Sequence, residues 1–350
     1  MKPLSCLLVS ALASSAAARV TPRASRYSLN GRDDITTTEI LKLGFYAQYA
    51  GAAYCNSESE VNTTVTCSSD ACPEVEAAGA TIVATYSGDA TDIQGFTAVD
   101  DINQLIVTSI KGSSSIRNWI TDLLFWKDDC DLVDGCRVHA GFLKAWSEIQ
   151  QDVLAALASA VAANPSYKLI FTGHSLGAAV STLGAAYARK AGYPADIYNY
   201  GSPRVGNQAF VTYVTQQTGA EYRVTHLDDP VPRLPPISFS YFHTSPEYWL
   251  SGGAFNASTY APDEITICAG YANTSCNGGS KGLDTDAHSY YFGAIGACGS
   301  DELEFRRRDT LNITRDMATS PPQDISDADL ETKLNEWVQQ DIEYATSLGE

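Results

Sequence analysis

The chain has 350 residues, 44% hydrophobic and 18% charged, with 26 glycines; this composition supports one large core and excludes a disordered or fibrous protein. Its formal net charge of −18 excludes nucleic acid and anionic membrane surfaces as equilibrium partners, because a polyanion repels both. Neutral or zwitterionic lipid stays open.

Residues 1–18 carry Lys2, the apolar run Leu4 to Leu12 and the small-residue triplet Ala16-Ala17-Ala18, the pattern of a secretory signal peptide. The run is too short to cross a bilayer, which takes about 20 apolar residues. No other stretch approaches that length, so no transmembrane segment is expected. Cleavage removes Cys6 and leaves eight of the nine cysteines, an even number in a chain bound for an oxidising, extracellular compartment. Residues 19–32 are basic, with Arg19, Arg23, Arg26 and Arg32, and read either as a short pro-segment or as a frayed terminus.

Thr36 to Ala53 opens on threonines in capping position and continues with Ile40, Leu41, Leu43, Phe45, Tyr46 and Tyr49 at helical spacing, which predicts a first helix. The polar stretch Cys55 to Cys72 reads as a surface loop stapled by Cys67 and Cys72, with Asn62-Thr63-Thr64 as a glycosylation acceptor. Further acceptors are Asn256, Asn273 and Asn312. Ala80 to Tyr86, Ile93 to Val99 and the β-branched run Leu105 to Ile110 read as strands, the last one central. Beyond it, Ile116, Trp119, Ile120, Leu123 and Leu124 fall at i, i+3, i+4, i+7 and i+8, one apolar stripe of a short helix. The acidic loop Lys127 to Gly135 follows, expected to be closed by Cys130 and Cys136. Phe142 to Ala163 is a long helix ending at Asn164-Pro165.

Tyr167 to Thr172 is a short apolar run with the pattern of a buried parallel strand. Gly173-His174-Ser175-Leu176-Gly177 comes directly after it, and Leu176 to Lys190 is helix-forming. A serine between two glycines at a strand-to-helix corner sits on a strained turn that lifts its hydroxyl above the sheet. The first turn of the helix, starting at Leu176, offers free backbone N–H groups and a positive dipole end where an oxyanion would form. Such a corner is built for acyl transfer through a covalent serine ester, against the bland reading of a glycine-rich turn. Ile197 to Tyr200 and Tyr222 to His226 read as further strands and Val205 to Thr218 as a helix.

An α/β-hydrolase-like sheet presents its triad in the chain order Ser, Asp, His. That order leaves His243 and His288 as candidate bases. His243 lies among aromatics and reads as structural, whereas His288 follows the Gly- and Asp-rich loop Gly278 to Asp286. Asp228 and Asp229 are adjacent, and only one of two neighbours leaving a strand points at the site. No metal or cofactor is expected, since the histidines lack ligand spacing such as H-x-x-x-H.

The stretches YAQYAGAAYC (46 to 55), ACPEVE (71 to 76), KGSSSIRNWI (111 to 120), GCRVHAGF (135 to 142), FTGHSLGAA (171 to 179), GSPRVGNQAF (201 to 210), DDPVPRLPP (228 to 236), SPEYW (245 to 249) and HSYYFG (288 to 293) carry a resemblance. In these stretches the chain resembles secreted fungal class 3 lipases of the Rhizomucor and Thermomyces type, a family that also holds feruloyl esterases. The resemblance implies an α/β fold of the α/β-hydrolase type: a central, mostly parallel sheet flanked by helices, with a short helical lid. Residue by residue it makes Ser175 the nucleophile, Asp229 the orienting carboxylate, His288 the general base and Ser113, with Leu176, the oxyanion holder. It makes the stripe Ile116, Trp119, Ile120, Leu123 and Leu124 the lid, whose apolar character favours acylglycerol hydrolysis at a lipid–water interface over feruloyl ester hydrolysis. It pairs Cys55 with Cys298, Cys67 with Cys72 and Cys130 with Cys136, leaving Cys268 to pair with Cys276. The chain departs from the usual pattern at Lys111, where arginine is common, and at Ala178, where glycine is common.

The lipase-type domain is expected over residues 33–298, as a monomer. The extension 299–350 carries 13 acids against 5 bases, −8 of the −18. Within it Arg306-Arg307-Arg308 reads as a processing site and Thr319 to Gln323 as a linker. Ser326 then caps a helix, Asp327 to Leu348, that reads as an appendage packed on the domain or trimmed away, or else as a regulatory or interfacial element.

Overall fold

Runs of β-branched and aromatic residues build the centre of one sheet. The computed structural model describes residues 35–113, 120, 125–298 and 326–349. Strands β1 (Thr81–Ser87), β2 (Gln94–Asp100), β3 (Leu105–Ile110), β6 (Lys168–His174), β7 (Ala195–Tyr200), β8 (Glu221–His226), β9 (Glu247–Leu250) and β10 (Ile265–Cys268) lie in the order β1-β2-β3-β6-β7-β8-β9-β10. A two-stranded ribbon, β4 (Lys127–Asp129) with β5 (Arg137–His139), stands apart. β3, β6, β7, β8 and β9 run parallel, and the outer strands are antiparallel. Every residue of β3 is buried, as expected for a strand covered on both faces.

The register aligns Ile110 with Gly173 and His174 with Tyr200, so the carboxyl ends of β3, β6 and β7 reach one rim. Ligands of open parallel sheets bind at that rim. The N-terminal helix Thr37–Asn56 covers one face through Leu43, Tyr46 and Tyr49, and starts at a capping box between Thr36 and Glu39. Helices Ala140–Ala163 and Leu176–Lys190 cover the other face through Trp146, Leu157 and Leu183.

Several elements depart from the sequence expectation. The helix expected over Val205 to Thr218 is confined to Gln208–Gln216, because the Asn207 side chain caps it through the Phe210 N–H. Gly206 is drawn instead into bridges with Val138 and Phe242. The long helix starts at Ala140, with His139 Nδ1 accepting from the Gly141 N–H. β9, β10, the ribbon and the helix Pro73–Ala78 had no counterpart in the expectation.

The structure pairs Cys55 with Cys298, Cys67 with Cys72, Cys130 with Cys136 and Cys268 with Cys276. Asn62 and Asn256 are exposed, whereas the Asn273 amide is engaged with Ala269 and Ser275. The signal peptide at 1–18, the basic segment 19–32, the stripe residues Ile116, Trp119, Leu123 and Leu124, the Arg306 to Arg308 triplet and Asn312 lie outside the described residues. Ile120 is described, and it is buried. Among the described residues no helix is long and apolar enough to cross a membrane.

Arg32–Glu350 forms one compact unit, so the C-terminal helix Asp327–Leu348 belongs to the same body as the sheet. Ser326 caps it, and Leu330, Leu334, Val338, Asp341 and Ala345 are its buried stripe.

Candidate active site

Ser175 stands where β6 turns into the helix Leu176–Lys190, with φ 57° and ψ −128°. A non-glycine residue in that region is strained, and the surrounding structure has to hold it there. Two glycines make this possible. A Cβ on Gly173 would lie 2.6 Å from the Gly177 carbonyl oxygen, and one on Gly177 would lie 2.1 Å from that of Ile110. The helix N-terminus therefore packs directly on the end of β3, where Lys111-Gly112-Ser113 departs. Gly112 is just as confined, with its Cβ position 2.7 Å from the His174 carbonyl oxygen. Ser113 and Leu176, the expected oxyanion pair, are thus carried on two segments in contact.

His288 lies in a short helix, Thr285–Ser289, capped by Asp284, instead of on the open loop that the glycine-rich sequence suggested. Its Nδ1 is 2.8 Å from Asp229 Oδ2, and both side chains are fully buried. Asp229 also accepts from the Tyr291 hydroxyl and, through Oδ1, from the Val231 N–H at 2.8 Å. Burial, then the Asp229 charge, push Tyr291 far above the ordinary phenol range, which keeps it a donor. His288 Nε2 is buried and has no hydrogen-bond partner among the described residues.

Asp228 is half-buried beside Asp284 and not freely solvated, and burial raises its carboxyl above the ordinary range. Arg233 donates to the carbonyls of Asp228, Ser280 and Gly282, tying the Asp229 loop to the segment ahead of His288. Burial pushes Arg233 down to about 10, against the pull of Asp229 and Asp228. His243, the other candidate base, is buried, with Nε2 2.7 Å from the Pro232 carbonyl oxygen. Behind the site the His174 ring stands 4.4 Å from that of His288, and its Nε2 is 2.9 Å from the His288 carbonyl oxygen.

The families described as Lipase (class 3) and Lipase 3 N-terminal region match residues 107–239 and 8–83. The secreted mono- and diacylglycerol lipase 1 of Fusarium solani is 47% identical over 314 residues, which cover 90% of this chain and 89% of that protein. The chain belongs to the class 3 lipases. Secreted mono- and diacylglycerol lipase A of Penicillium camembertii is 41% identical, over 80% of this chain and 94% of its own. The solved mono- and diacylglycerol lipase of Aspergillus oryzae superposes with a TM-score of 0.71 at 39% identity, covering 75% of this chain and all of its own. This class 3 lipase is a carboxylic ester hydrolase with the α/β-hydrolase fold.

Around its site the lipase buries three other histidines. Burial, then the neighbouring His288, hold His174 well below the ordinary imidazole range. Burial, then Arg223 and Arg204, do the same for His243, and burial lowers His226. Folding favours the neutral form of all three, so on unfolding below about pH 6.5 they take up protons. Their contribution is therefore fully present above about pH 6.5 and declines below it, by up to about 1.4 kcal/mol per pH unit for each. The raised carboxyls of Glu221 and Asp228 act in the opposite sense, from about pH 4, where unfolded carboxyls titrate, up to their raised folded values, and so offset part of this decline. Thermal melts between about pH 7.5 and pH 5.5 are expected to show a midpoint that falls steadily once pH drops below about 6.5. A flat profile contradicts neutral burial.

Sequence reasoning missed Tyr291, His174 and Arg233. Each had a signal: Tyr291 stands three residues after His288, His174 precedes the nucleophile, and Arg233 sits between prolines in an apolar run.

Proposed function

We propose that this lipase hydrolyses mono- and diacylglycerols at a lipid–water interface through a Ser175–His288–Asp229 triad and an acyl-enzyme. The observation that carries the triad is the buried 2.8 Å contact of His288 Nδ1 with Asp229, set beside the strained Ser175 corner, with Nε2 without a partner among the described residues. His288 Nε2 takes the Ser175 proton as Oγ attacks the ester carbonyl carbon, and Asp229 stabilises the imidazolium. The oxyanion is held by the Leu176 N–H and by Ser113, each such donor being worth on the order of a hundredfold or more in rate. Collapse of the adduct expels the glycerol oxygen, which receives the proton from His288. Water, deprotonated by the same nitrogen, then attacks the acyl-serine and releases the fatty acid.

The named substrates of the Fusarium solani, Penicillium camembertii and Aspergillus oryzae relatives support this substrate class. The first two are named as secreted, which places this chain outside the cell. Feruloyl ester hydrolysis is the competing reading. A panel of emulsified monoacylglycerol, diacylglycerol, triacylglycerol and soluble feruloyl esters tests it. Expected is a rate on the partial glycerides at least about tenfold above that on feruloyl esters, a difference of about 1.4 kcal/mol in transition-state binding. A preference for the feruloyl esters overturns the reading.

A further inference from the structure

A third, small apolar cluster lies apart from the two cores that flank the sheet. Ile120, Val231 and Leu234 form it with Leu330 and Leu334 of the C-terminal helix, and Phe125, Leu283 and Trp337 pack at its edge. The Phe125 and Trp337 rings are 5.5 Å apart. Val231 and Leu234 come directly after Asp229, and Leu283 lies five residues before His288. The helix is pinned at both places. Asp341 accepts from Arg204 Nη1 at 2.9 Å and from the Ser238 N–H at 3.1 Å, and Asn335 accepts from the Gly282 N–H at 3.0 Å.

We propose that the C-terminal helix is a detachable cap on an apolar docking surface for neutral or zwitterionic lipid, formed by Ile120, Phe125, Val231, Leu234 and Leu283 beside the catalytic loop. This rests on the reading of the chain as an acylglycerol hydrolase. The helix replaces that surface with an acidic outer face: Asp327, Asp329, Glu331, Glu336 and Glu343 are exposed on it, against Lys333. Capped, the rim is solvated and anionic. Uncapped, it presents contiguous aliphatic and aromatic side chains next to the site, the character of a lipid-contact patch.

The fastening suits release. A buried ion pair adds little net stability, because desolvation of both charges offsets their attraction. When the helix leaves, Arg204 keeps its bonds to the carbonyls of Arg233 and Pro235. A second copy of the chain is a poor alternative occupant, since each copy carries −18.

The full-length double variant Leu330→Asp with Leu334→Asp loosens the cap from its own side and leaves the patch and the triad intact. Binding to phosphatidylcholine vesicles is expected to rise about tenfold or more, because apparent affinity scales with the uncapped fraction. Hydrolysis of emulsified diolein, expressed per site labelled by a fluorophosphonate, rises with it. Trp337→Ala, which removes the ring that packs at the cluster's edge against Phe125 and under Lys333, is expected to move both readouts the same way by a smaller factor. Unchanged vesicle binding in correctly labelled variants overturns the proposal, as does dimerisation without vesicle binding. Loss of labelling in both variants also overturns it, by making the helix an inseparable part of the fold. Wild-type protein that takes the label yet hydrolyses no acylglycerol defeats the substrate reading instead, and the vesicle arm still decides the cap.

Discussion

Ser175→Ala is expected to lower ester hydrolysis by about ten-thousandfold to a millionfold, the range seen when a triad nucleophile is removed. The fold should not notice. The Ser175 side chain makes no capping bond to the helix it precedes, and alanine keeps the Cβ that already tolerates φ 57°. What remains after substitution is the oxyanion site and general binding, which alone give only a small fraction of the acceleration. The measurement is turnover of a p-nitrophenyl ester together with a thermal melt. Wild-type-like turnover in a cleanly purified variant would end the serine-ester mechanism. A large fall in melting temperature would instead assign Ser175 a structural role that its geometry gives no reason to expect.

The parts of the site legible in sequence were those with a local physical signature. The corner at Ser175 declares itself because only glycine fits at Gly173 and Gly177, and the contacts at those Cβ positions show why. The C-terminal helix declares itself through the Ser326 cap and a single apolar stripe, and Asp327–Leu348 forms as that pattern requires. What stayed hidden is long-range. Nothing local in Asp341 distinguishes it from the other acids of an acidic tail, yet it is buried against Arg204, 137 residues earlier. His288 was expected on a loop because the glycines before it mask the Asp284 cap that starts a short helix. β9 and β10 are four residues each, too short for an alternating pattern to stand out from the loops around them.

A second large effect is expected away from the triad, at Glu247. Its carboxylate accepts from Arg223 Nη2 at 2.9 Å, from the Thr225 hydroxyl and from the Asn277 N–H at 3.2 Å, all buried. Arg223 Nη1 has no partner among the described residues and Nε donates to the Thr244 carbonyl, so removing the carboxylate leaves a buried guanidinium without its hydrogen-bonded counter-charge. Breaking such a pair from one side costs about 3 to 5 kcal/mol, where the intact pair contributes little net stability. For a domain of this size that corresponds to a melting midpoint lower by roughly 10 °C. The loss should reach the chemistry as well. Asn277 Nδ2 donates to the carbonyls of Asp229 and Leu227, so a shift at Glu247 is expected to reach the loop that carries Asp229, the proposed triad carboxylate. Glu247→Ala is therefore expected to lower kcat more than KM changes, even at a temperature where the variant is fully folded. Glu247→Gln keeps one acceptor oxygen and should recover part of both effects. If Glu247→Ala destabilises the fold but leaves kcat untouched well below its melting point, the Asn277 bridge does not position Asp229, and the network acts on stability alone.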